Sequence, residues 1–151
     1  MHVKIFTDGS SKGNPGPGGY GVLMRFGSHE REFSEGFRLT TNNRMELLAV
    51  IVGLENLKTN KFPVEIYTDS KYVADAITKN WVLSWRTKNY KGKKNSDLWE
   101  RYLNVSAPYQ IRVNWIKGHN GHPENERCDR LAVMAASQPE KIDSNYEIGG
   151  I

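Results

Sequence analysis

Apolar and polar positions alternate along three early stretches, Val3 to Asp8, Tyr20 to Phe26 and about Arg31 to Leu39, and this is the period of a half-buried strand. Two breaks separate them. Asn14 to Gly19 (N-P-G-P-G-G) has a density of Pro and Gly that interrupts helix and ladder alike, and Gly27-Ser28 suits a short turn. The three stretches therefore predict a meander of hairpins. From Asn43 to Leu57 the period changes: Glu46, Ala49, Val50, Gly53 and Leu57 fall on one helical face, with Met45, Leu48 and Val52 beside it. Beyond this helix the pattern predicts a strand over Val64 to Thr68, a short helix over Ser70 to Lys79, a strand over Ile111 to Ile116 and a last helix over Glu124 to Ala136. Pro123 suits the first turn of that helix, where its missing N–H costs nothing. The polar tail, about 138–151, is expected on the surface. Strands first, then alternating helix and strand, predict an α/β fold: a mixed sheet with helices on its faces.

The chain has 151 residues, 38% of them hydrophobic, which is enough for one domain to bury a core without disulfides. With neither an internal repeat nor a dividing linker, 1–151 is expected to form a single domain. No apolar stretch approaches the roughly 20 residues that cross a bilayer, and no signal-peptide region follows Met1. A soluble, cytoplasmic monomer is the expectation. Cys128 is the single cysteine, so no internal disulfide forms, and a zinc site from His119, His122 and Cys128 lacks a convincing fourth ligand. A total of 21 Lys and Arg against 17 Asp and Glu gives +4, a small excess favouring a polyanionic partner. Its distribution says more, because Arg86 to Lys94 (R-T-K-N-Y-K-G-K-K) holds five basic side chains and no acidic one.

Candidate chemistry centres on carboxylates. Asp8 and Asp69 close strands in near-identical contexts, Thr7-Asp8-Gly9-Ser10 and Thr68-Asp69-Ser70. If those strands are parallel neighbours, both acids emerge at one sheet edge, where α/β folds place ligands. Capping of the next turn or helix is the alternative for each. Glu46 sits in the apolar stripe of its helix, where an ionised group is costly to bury, unless it forms a capping box with Asn43. Asp129 lies near the inner face of the last helix, or pairs with Arg127 or Arg130 at the surface. Clustered acids repel one another and raise their own pKa values, so such a cluster makes sense chiefly around divalent cations. Oxygen-rich sites of this kind suit Mg²⁺ or Mn²⁺, and two such ions can serve both sides of a phosphodiester.

The chain closely resembles the bacterial type 1 ribonucleases H from about residue 3 to residue 136. The resemblance is carried by T-D-G-S-S-K-G-N-P-G-P-G-G-Y-G from Thr7, T-T-N-N-R-M-E-L from Thr40, T-D-S-K-Y-V from Thr68 and K-G-H-N-G-H-P-E-N-E-R-C-D from Lys117. It implies a ribonuclease H-like fold, a five-stranded mixed sheet (antiparallel meander, then parallel strands) flanked by helices. It also implies metal-dependent endonucleolytic cleavage of the RNA strand of RNA/DNA hybrids, leaving 5′-phosphate and 3′-hydroxyl ends. By resemblance, Asp8, Glu46, Asp69 and Asp129 are the metal-binding acids, with Mg²⁺ or Mn²⁺ as cofactor, and His119 assists proton transfer or product departure. A histidine fits that task because it titrates near neutrality. The other reading of His119 is a surface loop histidine.

Telling RNA from DNA requires donors and acceptors at the 2′-hydroxyl. By resemblance, Asn14, Asn42 and Asn43 contact the hybrid near the cut, and Thr41 and Asn95 hold a phosphate of the DNA strand. Helix capping is the alternative for Asn42 and Asn43. Trp81, Trp85 and Tyr90 with Lys91, Lys93 and Lys94 resemble the family's basic protrusion, in which lysines neutralise phosphates and aromatic faces pack on sugars or bases. A core role is the alternative for the two tryptophans. Three departures stand out: a protrusion shortened after Tyr90, Leu39 where a basic residue is common, with Arg38 as its substitute, and Lys71 in place of an amide. Lys12 to Gly19 lacks the Gly-Lys-Ser/Thr ending of a P-loop. Two other functions remain open on the sequence: a DNA-acting nuclease of the same fold, such as a resolvase or integrase core, and a non-catalytic hybrid-binding module.

Overall fold

The computed structural model describes residues 1–118 and 121–149. Three antiparallel strands, β1 (Val3–Ser11), β2 (Gly16–Phe26) and β3 (His29–Thr40), form the meander, followed by α1 (Asn42–Glu55). Then come β4 (Val64–Thr68), α2 (Lys71–Thr78), α3 (Trp81–Thr87), α4 (Ser96–Ser106), β5 (Ile111–Trp115), α5 (Pro123–Ser137) and α6 (Ser144–Gly149). The sheet order is β3-β2-β1-β4-β5, with β4 parallel to β1 and β5 parallel to β4. This is the five-stranded mixed sheet that the resemblance implies.

Period-2 alternation divides each central strand between the two faces of the sheet. Ile5, Val22 and Met24 join the main core with α1, α2 and α4, whereas Phe6 and Leu23 point the other way, to Cys128 of α5. α5 can lie this close because β2 carries Gly21: a Cβ there would stand 2.3 Å from the Cys128 carbonyl oxygen. A side chain at that point would push the helix off the sheet.

Two expectations need correction, and two further features were not foreseen. The Pro- and Gly-rich stretch does not end the ladder: β1 runs on to Ser11, and β2 begins at Gly16, paired with Thr40. A β-bulge between Gly16 and Gly18 takes up Pro17, which has no N–H for the ladder. Secondly, α1 is not one-sided: Arg44 to Ile51 are all buried, because the sheet lies on one side and α4 on the other. Its N-cap is Thr41, not Asn43; the Thr41 hydroxyl accepts from the Arg44 N–H at 3.2 Å. Thirdly, α3 and α4 were not legible as elements. Asn80 and Asn95, which precede them, are residues of N-cap type but adopt left-handed backbone and make no side-chain cap. Finally, the polar tail lies on the surface as expected and is also tied down there: Lys141 bridges to Phe37 at the edge of β3, and α6 follows.

Candidate active site

In the parallel pairing of β1 with β4, Ile5 stands beside Ile66 and Phe6 beside Tyr67. Continuing both strands by two residues brings Asp8 and Asp69 out at the same edge. α1 delivers Glu46 to that point through a close approach at Gly9, where a Cβ would lie 2.4 Å from the Glu46 backbone nitrogen. The Gly9 N–H then donates both to Asp8 Oδ1 at 2.9 Å and to Glu46 Oε1 at 3.0 Å. One carboxylate oxygen each from Asp8, Glu46 and Asp69 lies within 4.8 Å of the others.

Asp129, half-buried on α5, stands beside this trio. It lines one hollow with Asp8, Asp69, Gly118 and His122, and its charge acts on Asp8. The sequence thus grouped four acids; the structure draws three tightly together and sets the fourth alongside. Arg127, a candidate partner for Asp129, is engaged by Glu30 and Glu32 instead.

The electrostatics of the trio are unfavourable without a cation. Burial first, with the charges of Asp69 and Asp129, pushes Asp8 up to about 7 against the opposing pull of a hydrogen bond with Glu46 and of the Gly9 N–H. Glu46 is also held well above the usual carboxylate range, by burial and then by the Asp8 charge. Its Oε2 is buried and meets no hydrogen-bond donor among the described residues. An all-oxygen donor set with an orphaned oxygen fits a hard divalent cation, which would satisfy Oε2 and neutralise the mutual repulsion. Cys128 does not belong to such a set: its thiol donates to the Phe6 carbonyl at 3.3 Å, and burial pushes it up to about 12.

His119 lies outside the described residues. Asn125, which sequence reasoning missed, lines the hollow one turn before Asp129 with a buried Nδ2 that has no acceptor among the described residues. The i, i+4 spacing on α5 was the available signal. Trp115 was missed too; its indole N–H donates to the Asp69 carbonyl at 3.1 Å and steadies the end of β4.

The expected hybrid contacts divide into outward and inward groups. Asn14, Asn42 and Asn43 lie toward solvent, and the Asn42 N–H donates to Asn14 Oδ1 at 3.0 Å, joining the β1–β2 turn to the start of α1. Thr41 spends its hydroxyl on the cap. Asn95 is only 5% exposed, with its amide spanning Arg44 Nη1 (3.4 Å) and the Tyr72 hydroxyl (3.1 Å). Arg38, the substitute for Leu39, is taken by three hydrogen bonds to Glu147.

In the protrusion, Trp85 stands edge-on to the buried Trp99 at 6.0 Å, and the Tyr90 hydroxyl donates to Glu100. These two fasten the protrusion to α4. Trp81, Lys91, Lys93 and Lys94 are exposed, with the Lys93 ammonium 5.0 Å from the Trp85 ring centre.

Comparison with known proteins bears directly on this arrangement. The RNase H family model matches residues 1–137. A ribonuclease H of Desulforamulus reducens is 56% identical over 142 residues, covering 91% of this chain and 89% of that protein. One of Klebsiella pneumoniae is 54% identical over 149 residues, covering 96% of each. Among solved structures, LC9-RNase H1, a type 1 RNase H with the type 2 active-site motif, superposes with a TM-score of 0.81 at 34% identity, covering 97% of this chain and 79% of that one. LC11-RNase H1 in complex with RNA/DNA hybrid superposes with a TM-score of 0.72 at 25% identity, covering 89% of this chain and 96% of that one. A fold carrying two carboxylates where the parallel pairing of β1 with β4 runs out and a third on the helix packed against that point, matched over nearly its whole length by such relatives, places this chain in the RNase H family.

Proposed function

We propose that this protein is a ribonuclease H, hydrolysing the RNA strand of RNA/DNA hybrids to leave 5′-phosphate and 3′-hydroxyl ends. One observation carries the assignment: Asp8, Glu46 and Asp69 converge within 4.8 Å, with a buried oxygen left over, in a chain of this family. Asp8, Glu46, Asp69 and Asp129 would hold Mg²⁺, or Mn²⁺ in its place, as two ions during the reaction. When bound, such cations supply positive charge that acidifies an attacking water and stabilises the departing oxygen.

The chain's own groups do the rest. Glu46, anchored by the Gly9 N–H, and Asp8 are fixed before substrate arrives, so little reorganisation is needed at the moment of cleavage. His119, next in the chain after Gly118, is assigned to deliver a proton to the departing 3′ oxygen. Asn14, Asn42 and Asn43 offer amide donors and acceptors at the end of the sheet that holds the acids, suited to a ribose 2′-hydroxyl. The exposed lysines of the protrusion suit the phosphates of the DNA strand, while Thr41 and Asn95 shape its pocket.

We take the chain to work as a single-domain monomer in the cytoplasm. The main core runs through both halves of the chain, and no described helix is long and apolar enough to cross a membrane. Gel filtration and cell fractionation test that assignment. The activity is tested with labelled hybrid, duplex DNA and duplex RNA, each with and without Mg²⁺. Cleavage confined to the hybrid RNA strand and dependent on the ion is expected; cleavage of duplex DNA, or binding without cleavage, would overturn it.

A further inference from the structure

The segment after α5 is tied to the end of the molecule that carries the candidate hybrid contacts. The Lys141 N–H donates to the Gly36 carbonyl at 2.9 Å, and the Lys141 carbonyl accepts from the Arg38 N–H at 3.0 Å, so the chain runs along the edge of β3 as a strap. Asp143 then reaches the Thr40 hydroxyl at 2.8 Å and Arg44 at both Nε (2.7 Å) and Nη2 (2.9 Å). Arg44 is 1% exposed. The other side of its guanidinium meets Asp97 through Nη1 (2.9 Å) and Nη2 (2.7 Å), and Asn95 Oδ1 through Nη1 (3.4 Å). Asn145 closes the ring with a bond to Asp97 at 3.2 Å.

A guanidinium has five N–H donors in a rigid plane, and here each has an acceptor. Asp143 accepts two of the five. Without its charge, as in Asp143→Asn, the buried cation keeps one carboxylate, has a neutral amide oxygen for one of the two N–H groups and no acceptor for the other, and relaxes by turning toward Asp97. That turn cannot stay local. Asn95 hangs on Nη1, and the Arg44 N–H is the group capped by Thr41 at the head of α1. Asn42 and Asn43 occupy the same turn.

We propose that the C-terminal strap sets the grip on the hybrid: Asp143, acting through Arg44, positions Asn95, Thr41 and the first turn of α1. Asp143 is a positioning residue, since it acts on substrate only through Arg44. The proposal rests on the hybrid-cleaving activity assigned above. It distinguishes the strap from a purely stabilising tail, which would leave the affinity of the folded enzyme unchanged.

The test measures kcat and KM on a labelled hybrid for wild type, Asp143→Asn, Asp143→Glu, Asn145→Ala and Glu147→Gln, at a temperature where circular dichroism shows each fully folded. Asp143→Asn should raise KM about tenfold while kcat stays within about twofold. Asp143→Glu, keeping the charge, should recover part of the loss. Asn145→Ala, which loosens Asp97 from the other side, should raise KM less than Asp143→Asn does. Glu147→Gln, which frees the strap from Arg38 alone, should keep KM near wild type. Wild-type protein that cleaves hybrid while folded Asp143→Asn keeps its KM, or loses only kcat, overturns the strap alone. Wild type without hybrid cleavage overturns the activity and the strap together. If Asp143→Asn does not fold, unchanged KM in both Asp143→Glu and Asn145→Ala overturns the strap.

Discussion

The acidic edge and the basic protrusion are built in opposite ways. At the acidic edge, residues from β1, α1 and β4 are driven together by core packing, and the charges are held where they repel one another. The protrusion is nearly all local sequence: α3 and the turn after it, fastened to α4 by Trp85 and Tyr90, with its lysines left in solvent. On the proposed function, chemistry that needs fixed geometry sits on the rigid sheet and costs stability, whereas a grip that needs only positive charge sits on a short surface element and costs little.

The largest effect tests the first half of that contrast. Asp8→Asn should lower cleavage at least about a hundredfold, as loss of a preorganised charge does in other active sites. In chelator the same variant should melt higher than wild type, because it removes a repelling buried charge. The pH dependence follows from the same group. Asp8 titrates near 3.8 when unfolded and is raised to about 7 when folded, so between those values the folded state binds the extra proton. Metal-free protein should therefore lose stability as pH rises from about 4 to 7, and added Mg²⁺ should restore it at the upper end. Thermal melts across that range check this; a flat profile contradicts the crowding of the acids.

Gly9→Ala comes next. It places a methyl group against the backbone of α1 and should cost about 1–3 kcal/mol in urea unfolding, with a fall in kcat as Glu46 is displaced. Replacing Lys91, Lys93 and Lys94 by Gln should leave stability nearly untouched and act mainly on KM. Its signature is a salt dependence of hybrid binding shallower by about 0.9 in logarithmic slope for each phosphate that is no longer neutralised. An unchanged slope would move the grip elsewhere. The smallest effect is expected from Glu55→Gln, which breaks a pair with Arg101 at 2.6 Å on the exposed side of α1. It should cost less than about 1 kcal/mol and leave turnover alone, marking the surface reference for both regions.

Much of this architecture was readable from the chain. Alternation in β1, β2, β4 and β5 sets strand and face within a few residues, and the helices α1, α2 and α5 lie close to where their periodicity places them. The acids just past the parallel pairing of β1 with β4 were visible as a repeated Thr-Asp motif. The start of β2 was hidden because glycines pair by backbone alone and leave no side-chain pattern. α3 was hidden because its seven residues are too few to show a helical period.

By itself, then, the sequence determined the order of the five strands with α1, α2 and α5, the positions of the candidate acids and the presence of a basic run, since each depends on neighbours along the chain. Only the tertiary structure decided that Asp8, Glu46 and Asp69 draw closest with Asp129 alongside, that Asn95 turns inward to Arg44, and that the tail becomes a strap ending on that arginine. Those outcomes depend on the parallel register of β1 with β4, on a backbone approach that only Gly9 allows, and on which buried donors still lack acceptors once the core has closed.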